Sequence, residues 1–354
     1  MSVTRRLASI QKIWKIDPIE GADRIELAHV LGWQCVVNKG QFQPGDMGVY
    51  FQIDSFLPIR EEFEFMRSTS YKRSELFGEG FRIRTMTFRG QISQGLILPL
   101  SAFPELGEAA EHEDVTELLK VKKWEVPERV NSSGTIIGDI PDFMPKTDEI
   151  RIQEYPGLIG EFGDTEYYVT TKMDGTSCSV GIDTSADGDG KFHVAGRNYE
   201  YKDDGKSPFY EHVKNLGLET SMRNLMSAGN VKTLVLQGEF CGEGIQKNRL
   251  KLRKPEWYIF TIRADGKRVD LDTLQRYCAE LKMNMVPIEE RGRALGSKYP
   301  DVDALLARAA GAYPNGGPKE GIVIRPATPA YSETLRGPLS FKVINNKFLL
   351  KHEE

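Results

Sequence analysis

Over the first hundred residues, apolar and polar positions alternate in short runs instead of recurring every three or four residues. Stretches 24–30, 34–37, 47–53, 81–87 and 96–98 read as strands. The turn-rich segments DPIEGAD, VLGW, NKGQFQPGD, GEGF and FRGQ punctuate them. Short strands at close intervals predict a small β-barrel or sandwich. DVTELLKVKK (114–123) has helical spacing with Asp114 placed as its N-cap. NSSGTIIGDIPDFMPKTDE is rich in Ser, Gly, Pro and Asp and reads as an interdomain linker. The predicted division is a β-barrel module at 1–125, a linker at 126–145 and a second domain at 146–354.

From 146 onward strand patterns alternate with helical ones. GNVKTLVLQGEFCG and KPEWYIFTI read as strands, whereas 270–285 and 301–310 carry caps and helical spacing. DTSADGDGK (183–191) opens like a calcium-binding loop, but Val194 occupies the twelfth position where a glutamate is required. A hairpin turn is the prediction there. VTTKMDGTSCSVGI (169–182) reads as two strands joined by a Met-Asp-Gly turn, with Lys172 at the lip of a hairpin. The second domain is therefore α+β with mainly antiparallel sheet.

The bulk numbers narrow the function classes. Hydrophobic content of 40% and charged content of 28% fit a soluble globular protein, and 354 residues allow two or three domains. No run approaches a membrane span or a signal peptide, so no membrane partner is expected. Cys35, Cys178, Cys241 and Cys278 lie far apart, without zinc or disulfide spacing, which suggests the cytoplasm or another reducing intracellular compartment. A net charge of −4 argues against a uniformly basic nucleic-acid-coating surface and leaves room for local basic patches. Five histidines without ligand spacing make histidine acid–base chemistry a poor first guess.

Chemistry enters with charges embedded in apolar runs. Lys172, Glu239 and Lys342 sit within or beside such runs, and burying charge costs many kcal/mol unless it is paired or ligand-bound. A lysine is a nucleophile only when neutral, and neighbouring carboxylates alone raise its pKa. A divalent cation reverses that sign while neutralising phosphate oxygens. Asp174 and Glu320 are hard oxygen donors suited to Mg2+ or Mn2+, directly or through water. Lys342 would supply the fixed positive charge that phosphoryl transfer needs. Glu239 is placed to accept a ribose hydroxyl, and Phe260 to stack on a purine.

In order, KMDG at 172–175, Arg197 in GRN, Glu239 in LQGEF, Phe260 in WYIFTI, Glu320 in KEGIVIR and Lys342 in SFKVINNKF resemble the motifs of the covalent nucleotidyltransferases: polynucleotide ligases and mRNA capping enzymes. The spacings are 67 residues from 172 to 239, 81 from 239 to 320 and 22 from 320 to 342. The resemblance implies that Lys172 attacks the ATP α-phosphate to give a lysyl–AMP phosphoramidate. It implies Arg197 at the ribose or incoming strand, Glu239 at the ribose, Phe260 at the base, Glu320 near the metal and Lys342 at the α-phosphate. Many relatives carry a second lysine two residues after Lys342, where Ile344 stands here, and Lys347 is the candidate to compensate.

Capping enzymes and DNA ligases of this type carry an OB-fold domain after the last motif, and the 12 residues beyond Lys342 are too few for one. A four-cysteine zinc module of the NAD-dependent ligases is also missing. The resemblance thus narrows to ATP-dependent RNA ligases, in which KTDEIRIQ (146–153) makes Arg151 and Gln153 candidate strand or phosphate contacts. Residues 16–51 resemble tRNA-binding OB modules, and 82–100 resemble the front module of RNA ligases that seal 3′-hydroxyl and 5′-phosphate ends at nicks in duplexes. Trp33, Lys39, Phe42, Arg82, Arg84 and Arg89 are the expected groove contacts. In QKNRLKLRK (246–254), a strand would place Lys247, Arg249, Lys251 and Arg253 on one face, either as a solvated edge that blocks aggregation or as a phosphate track for the duplex or for pyrophosphate. The expected protein is a monomeric ATP-dependent RNA ligase acting on nicked RNA or RNA-containing duplexes. A DNA ligase, a capping guanylyltransferase and a non-catalytic RNA-binding OB protein are the alternatives.

Overall fold

The computed structural model describes residues 5–124, 134–185 and 190–352. Two compact units emerge: Val3–Pro127 with Arg151–Pro156 and Asn346–Glu354, and Glu128–Ile150 with Gly157–Asn345. The second and third pieces of the first unit differ from the expected boundaries. Local bonds explain the grouping: the Gly32 N–H donates to the Gln153 carbonyl at 2.9 Å, Arg151 pairs with Asp54 at 2.9 Å, and the Gln94 amide donates to Asn346 at 3.2 Å. Among the described residues, no helix is long and apolar enough to cross a membrane.

In the first unit an antiparallel sheet runs in the order Leu96–Pro99, Met47–Phe51, Ala8–Pro18, Ile25–Val30, Trp33–Asn38. Ala8–Pro18 pairs with one neighbour through residues 8–12 and with the other through 13–18, with a register shift between Ile13 and Lys15. A bulge at that changeover bends the strand and curls the sheet. At the Trp33–Asn38 edge, side chains complete the curl: the Gln34 amide reaches the Ile92 carbonyl and the Val36 N–H reaches the Ser93 hydroxyl. Ile10, Val49, Tyr50 and Phe51 fill the interior. The helix expected over 114–123 does not form. Asp114 does cap locally, accepting from the Thr116 N–H at 3.0 Å, but Lys122–Lys123 pairs with Ser55–Pro58 and leaves only a turn between.

The second unit is α+β. Its larger sheet runs Ile136–Asp139, Tyr199–Tyr201, Lys191–Ala195, Thr176–Asp183, Thr233–Cys241, Glu256–Ala264, Lys267–Arg268. Ile136–Asp139 falls within the expected linker yet is a paired edge strand; the linker's residues 126–133 lie outside the described residues. Lys191–Ala195 folds back on Thr176–Asp183 as the hairpin prediction requires, although 186–189 of its turn are also outside the described residues. Helices Pro208–Asn215, Leu218–Gly229 and Leu271–Glu280 bury Val213, Met222, Met226, Leu274 and Cys278 against Leu234, Leu236, Phe240, Trp257 and Ile262 of this sheet. Ser207 and Asp270 cap two of these helices with side-chain bonds to Tyr210 and Thr273 N–H groups. A smaller antiparallel sheet runs Phe341–Ile344, Gly321–Pro326, Glu166–Lys172, Ile288–Arg293.

Candidate active site

KMDG is not a hairpin. Glu166–Lys172 belongs to the smaller sheet and Thr176–Asp183 to the larger one, so residues 173–175 cross between sheets. Locally, a strand–Asp-Gly–strand pattern is the same in both cases; the partners of each strand decide. Gly175 is needed for close approach: a Cβ there would overlap the Phe240 carbonyl and lie 2.7 Å from Cys241 Sγ. Lys172 is thus delivered to the point where one sheet hands the chain to the other.

Register then sets its neighbours. Lys172 lies opposite Gly321, which places Glu320 beside it, and Val323 lies opposite both Thr170 and Lys342. Lys342 is half-buried on this sheet. On the larger sheet Glu239 lies opposite Ser177. Between Thr233–Cys241 and Glu256–Ala264 the register slips at Gln237/Gly238, so Phe260 is the extra residue of a bulge. The bulge resets the strand's alternation: Trp257, Ile259 and Ile262 enter the helix-covered core, whereas Tyr258 and Phe260 pack with Met173, Cys241, Leu250 and Tyr313.

The Lys172 amine donates to Glu320 Oε2 at 2.7 Å. Burial alone pulls its pKa down, but Glu320, Glu239 and Asp174 together outweigh burial and hold it above the usual lysine range. Carboxylates alone keep this amine charged, as the sequence argument requires. Glu239 responds in the opposite direction: burial, reinforced by Glu320 and Asp174 and opposed by Lys172, pushes its carboxyl up to about 8. Asp174 accepts from Arg249 Nη1 with both oxygens, at 2.8 and 2.7 Å. Arg197 is exposed in part and donates through Nη2 to both oxygens of Asp148 at 3.0 Å.

Other expectations are corrected. QKNRLKLRK is a chain of turns, with positive φ at Gln246, Asn248 and Lys251, because the Asn248 side chain bonds both the N–H and the carbonyl of Leu252. Leu250 is buried, Lys247, Lys251 and Arg253 are exposed, and Arg249 alone of the four cations turns inward to Asp174. In the first unit Trp33 and Phe42 are core, Gln153 is fully buried, and Arg82 is buried with its guanidinium 4.9 Å from the Trp124 ring centroid. Burial thus takes Trp33, Phe42 and Arg82 off the expected groove surface and leaves Gln153, expected at a strand or phosphate, inside the unit. Lys39 and Arg89 are exposed and Arg84 is half-buried. Arg151 is held by Asp54 in the first unit, where Lys347 also lies, on the helix Asn346–His352.

Sequence reasoning missed Tyr313. Its hydroxyl donates to the Lys172 carbonyl at 2.8 Å and accepts from the Glu320 N–H at 3.1 Å, so one buried phenol fixes the nucleophile's and the acid's backbones together. An aromatic ahead of the NGGP turn is the only sequence signal, and it says nothing of this role. Glu289 was missed as well: it accepts from Thr171, Lys319 and Arg308, the first two adjacent in sequence to Lys172 and Glu320.

Comparisons with known proteins follow the same geometry. An OB-fold domain model matches residues 7–100 and an RNA ligase model matches 165–344. No curated protein matches. Naegleria gruberi RNA ligase with PPi is similar at 35% identity over 99% of both chains, with a TM-score of 0.85. A mutant of that ligase with ATP and Mn is 34% identical over 98% of this chain and 99% of its own, and one with AMP and Mn is 34% identical over 99% of both; each has a TM-score of 0.85. The RNA ligase match over 165–344 and full-length identity to a solved RNA ligase mean that this chain belongs to the RNA ligase family, with an OB-fold domain at its N-terminus.

Proposed function

We propose that the protein joins a 3′-hydroxyl to a 5′-phosphate at nicks in RNA-containing duplexes, using ATP as AMP donor, and that Lys172 is its nucleophile. One observation carries this: an amine at the crossover between two sheets, 2.7 Å from Glu320 and under the influence of Glu239 and Asp174. The solved relatives are named with ATP, AMP, PPi and Mn, which is the nucleotide chemistry this arrangement suits.

Lys172 first gives its proton to solvent water. Its lone pair forms the P–N bond to the α-phosphorus, the bond to the bridging oxygen breaks, and pyrophosphate leaves with that electron pair. A 5′-phosphate oxygen next displaces the lysine, giving a 5′-adenylated end. The 3′-hydroxyl then displaces AMP and completes the phosphodiester. Lys342 offsets charge on the α-phosphate, Glu239 accepts a ribose hydroxyl, and the Phe260 ring supports the base. Arg197 is the candidate for the ribose or the incoming strand. Holding the reactants in line supplies much of the rate.

The donor set fits Mg2+ or Mn2+. Asp174 and Glu320 are hard oxygen donors, and no group of three or more His, Cys, Asp or Glu side chains among the described residues is arranged to hold a metal. Two carboxylates, with the shell completed by water and phosphate oxygens, suit an ion that keeps its waters. Bound there, it would neutralise phosphate charge and favour the free amine of Lys172.

The exposed cations Lys39 and Arg89 support duplex binding by the OB-fold domain. The test is mass spectrometry of the purified protein after ATP and magnesium, with the modified residue located by peptide mapping. A single AMP on Lys172, absent in Lys172→Ala, is expected. Full sealing of a nicked duplex by Lys172→Ala would end the reading. Sealing that requires neither a duplex nor RNA would remove the substrate assignment alone.

A further inference from the structure

Arg249 and Asp174 form a largely buried pair, with side chains 13% and 8% exposed. The loop that carries Arg249 is anchored at several points. Gln246 reaches the Gly175 carbonyl, Asn248 bridges to Leu252, Leu250 packs with Met173 and Tyr313, and Asn315 reaches the Leu250 carbonyl. Arg249 is therefore aimed at the KMDG crossover by construction, unlike the exposed cations on either side of it.

The cation proposed above requires the carboxylate that Arg249 now holds. A guanidinium cannot shed its proton, and separating a buried ion pair costs several kcal/mol unless a new counter-charge arrives. What arrives with the cation is the nucleotide's phosphate chain, which matches the guanidinium fork. We propose that Arg249 is an exchange ligand: it holds Asp174 while no nucleotide is bound, and passes to the β- and γ-phosphates, the future pyrophosphate, when Asp174 takes up the cation. This inference rests on the lysine-adenylylation reading and assigns Arg249 to the leaving group instead of the nucleic acid. It places Arg249 in lysyl–AMP formation and its reversal, and outside the final sealing step, by which time pyrophosphate has left.

The test is calorimetric binding to full-length Lys172→Ala, so that no adduct forms, with Arg249→Ala and Arg249→Lys added to that background. Inorganic pyrophosphate with magnesium is expected to bind Arg249→Ala about tenfold to a hundredfold more weakly, the loss of one charge-assisted fork. Arg249→Lys should fall between the two. AMP, which lacks the β- and γ-phosphates, should bind within about threefold of the parent. Manganese alone should bind Arg249→Ala more tightly, because the competing guanidinium is gone. Unchanged pyrophosphate affinity overturns the inference. So does a parallel loss for pyrophosphate and AMP accompanied by a lowered melting temperature, which marks a purely structural pair. If the protein with Lys172 intact forms no AMP adduct and binds no ATP, the adenylylation reading falls, and this inference falls with it.

Discussion

Glu239 offers a direct test of the site's charge balance. In the folded protein its carboxyl titrates near 8, against 4.5 in an unfolded chain. Between those values the native state keeps a proton that the unfolded state has released, so native stability falls as pH rises from about 4.5 to about 8. Above that window the loss is complete. Glutamine in place of Glu239 is neutral at every pH and suffers no such loss. Glu239→Gln should therefore match the parent near pH 4.5 and become progressively more stable than it, levelling off above about pH 8. At ~1.4 kcal/mol per pH unit the span sets a ceiling of roughly 4–5 kcal/mol. Glu239 keeps some contact with solvent, and screening brings the expected gain to about 2 kcal/mol. For a domain of this size that is roughly 4–8 °C in melting temperature. Parallel thermal melts of both proteins from pH 4.5 to 9 read it directly, since the other carboxylates titrate in both and cancel in the difference. A difference that does not change with pH, or a less stable glutamine variant at pH 8.5, refutes the charge argument. The same variant should bind ATP more weakly, because a neutral amide oxygen is a poorer acceptor for the ribose hydroxyl than a carboxylate.

Tyr313→Phe removes one oxygen and leaves the Lys172 carbonyl and the Glu320 N–H without their shared partner. The expected cost is about 1–3 kcal/mol in stability. In single-turnover assays the rate of lysyl–AMP formation should fall more than the ATP KM rises, and equal effects on both would contradict a positioning role. Glu289→Gln withdraws the counter-charge from Lys319, which is 5% exposed, and from Arg308. It should destabilise by about 3–5 kcal/mol at neutral pH in urea unfolding. Here the sign is opposite to that at Glu239: Lys319, Arg308 and Thr171 overcome burial and hold the Glu289 carboxyl below 4.5. Its contribution is present above that value and lost as pH falls, so this variant should approach the parent in acid.

How much of this could be read from the chain depends on whether a feature is set locally. Charge inside an apolar run is local, and it picked out Lys172 and Glu239, which the structure brings together, with Glu320 joining them through register. The strand read from GNVKTLVLQGEFCG likewise forms, as Thr233–Cys241, and in it Glu239 lies on the face opposite Leu234, Leu236 and Phe240. Failures came where a distant partner decided the outcome. An Asp-Gly link looks the same whether its strands pair with each other or with two different sheets. The alternating cations of 246–254 satisfy a strand pattern, yet Asn248 supplies the ladder's hydrogen bonds from within the loop and turns Arg249 inward. Asp114 caps the turn it was expected to cap, but pairing of Lys122–Lys123 with Ser55–Pro58 prevents the helix.

The same distinction explains the electrostatics of the cleft. Lys172, Asp174, Glu239 and Glu320 come from four separate parts of the chain's pairing scheme: one strand end, one crossover, one interior strand and one loop before a strand. Three carboxylates converge where Lys172 bonds Glu320 and Arg249 bonds Asp174, and negative charge is absorbed by a proton held on Glu239 up to about pH 8. Protonating an acid at neutral pH is a poor way to stabilise a fold, because an apolar side chain would serve at lower cost. On the proposed reading the arrangement would become favourable when further positive charge enters, since a divalent cation would satisfy Asp174 and Glu320, favour the free Lys172 amine and leave Arg249 for phosphate. With Glu239 as the proposed ribose contact, stability and nucleotide binding would pull in opposite directions there, and a glutamine should raise the melting temperature and weaken the hold on ATP.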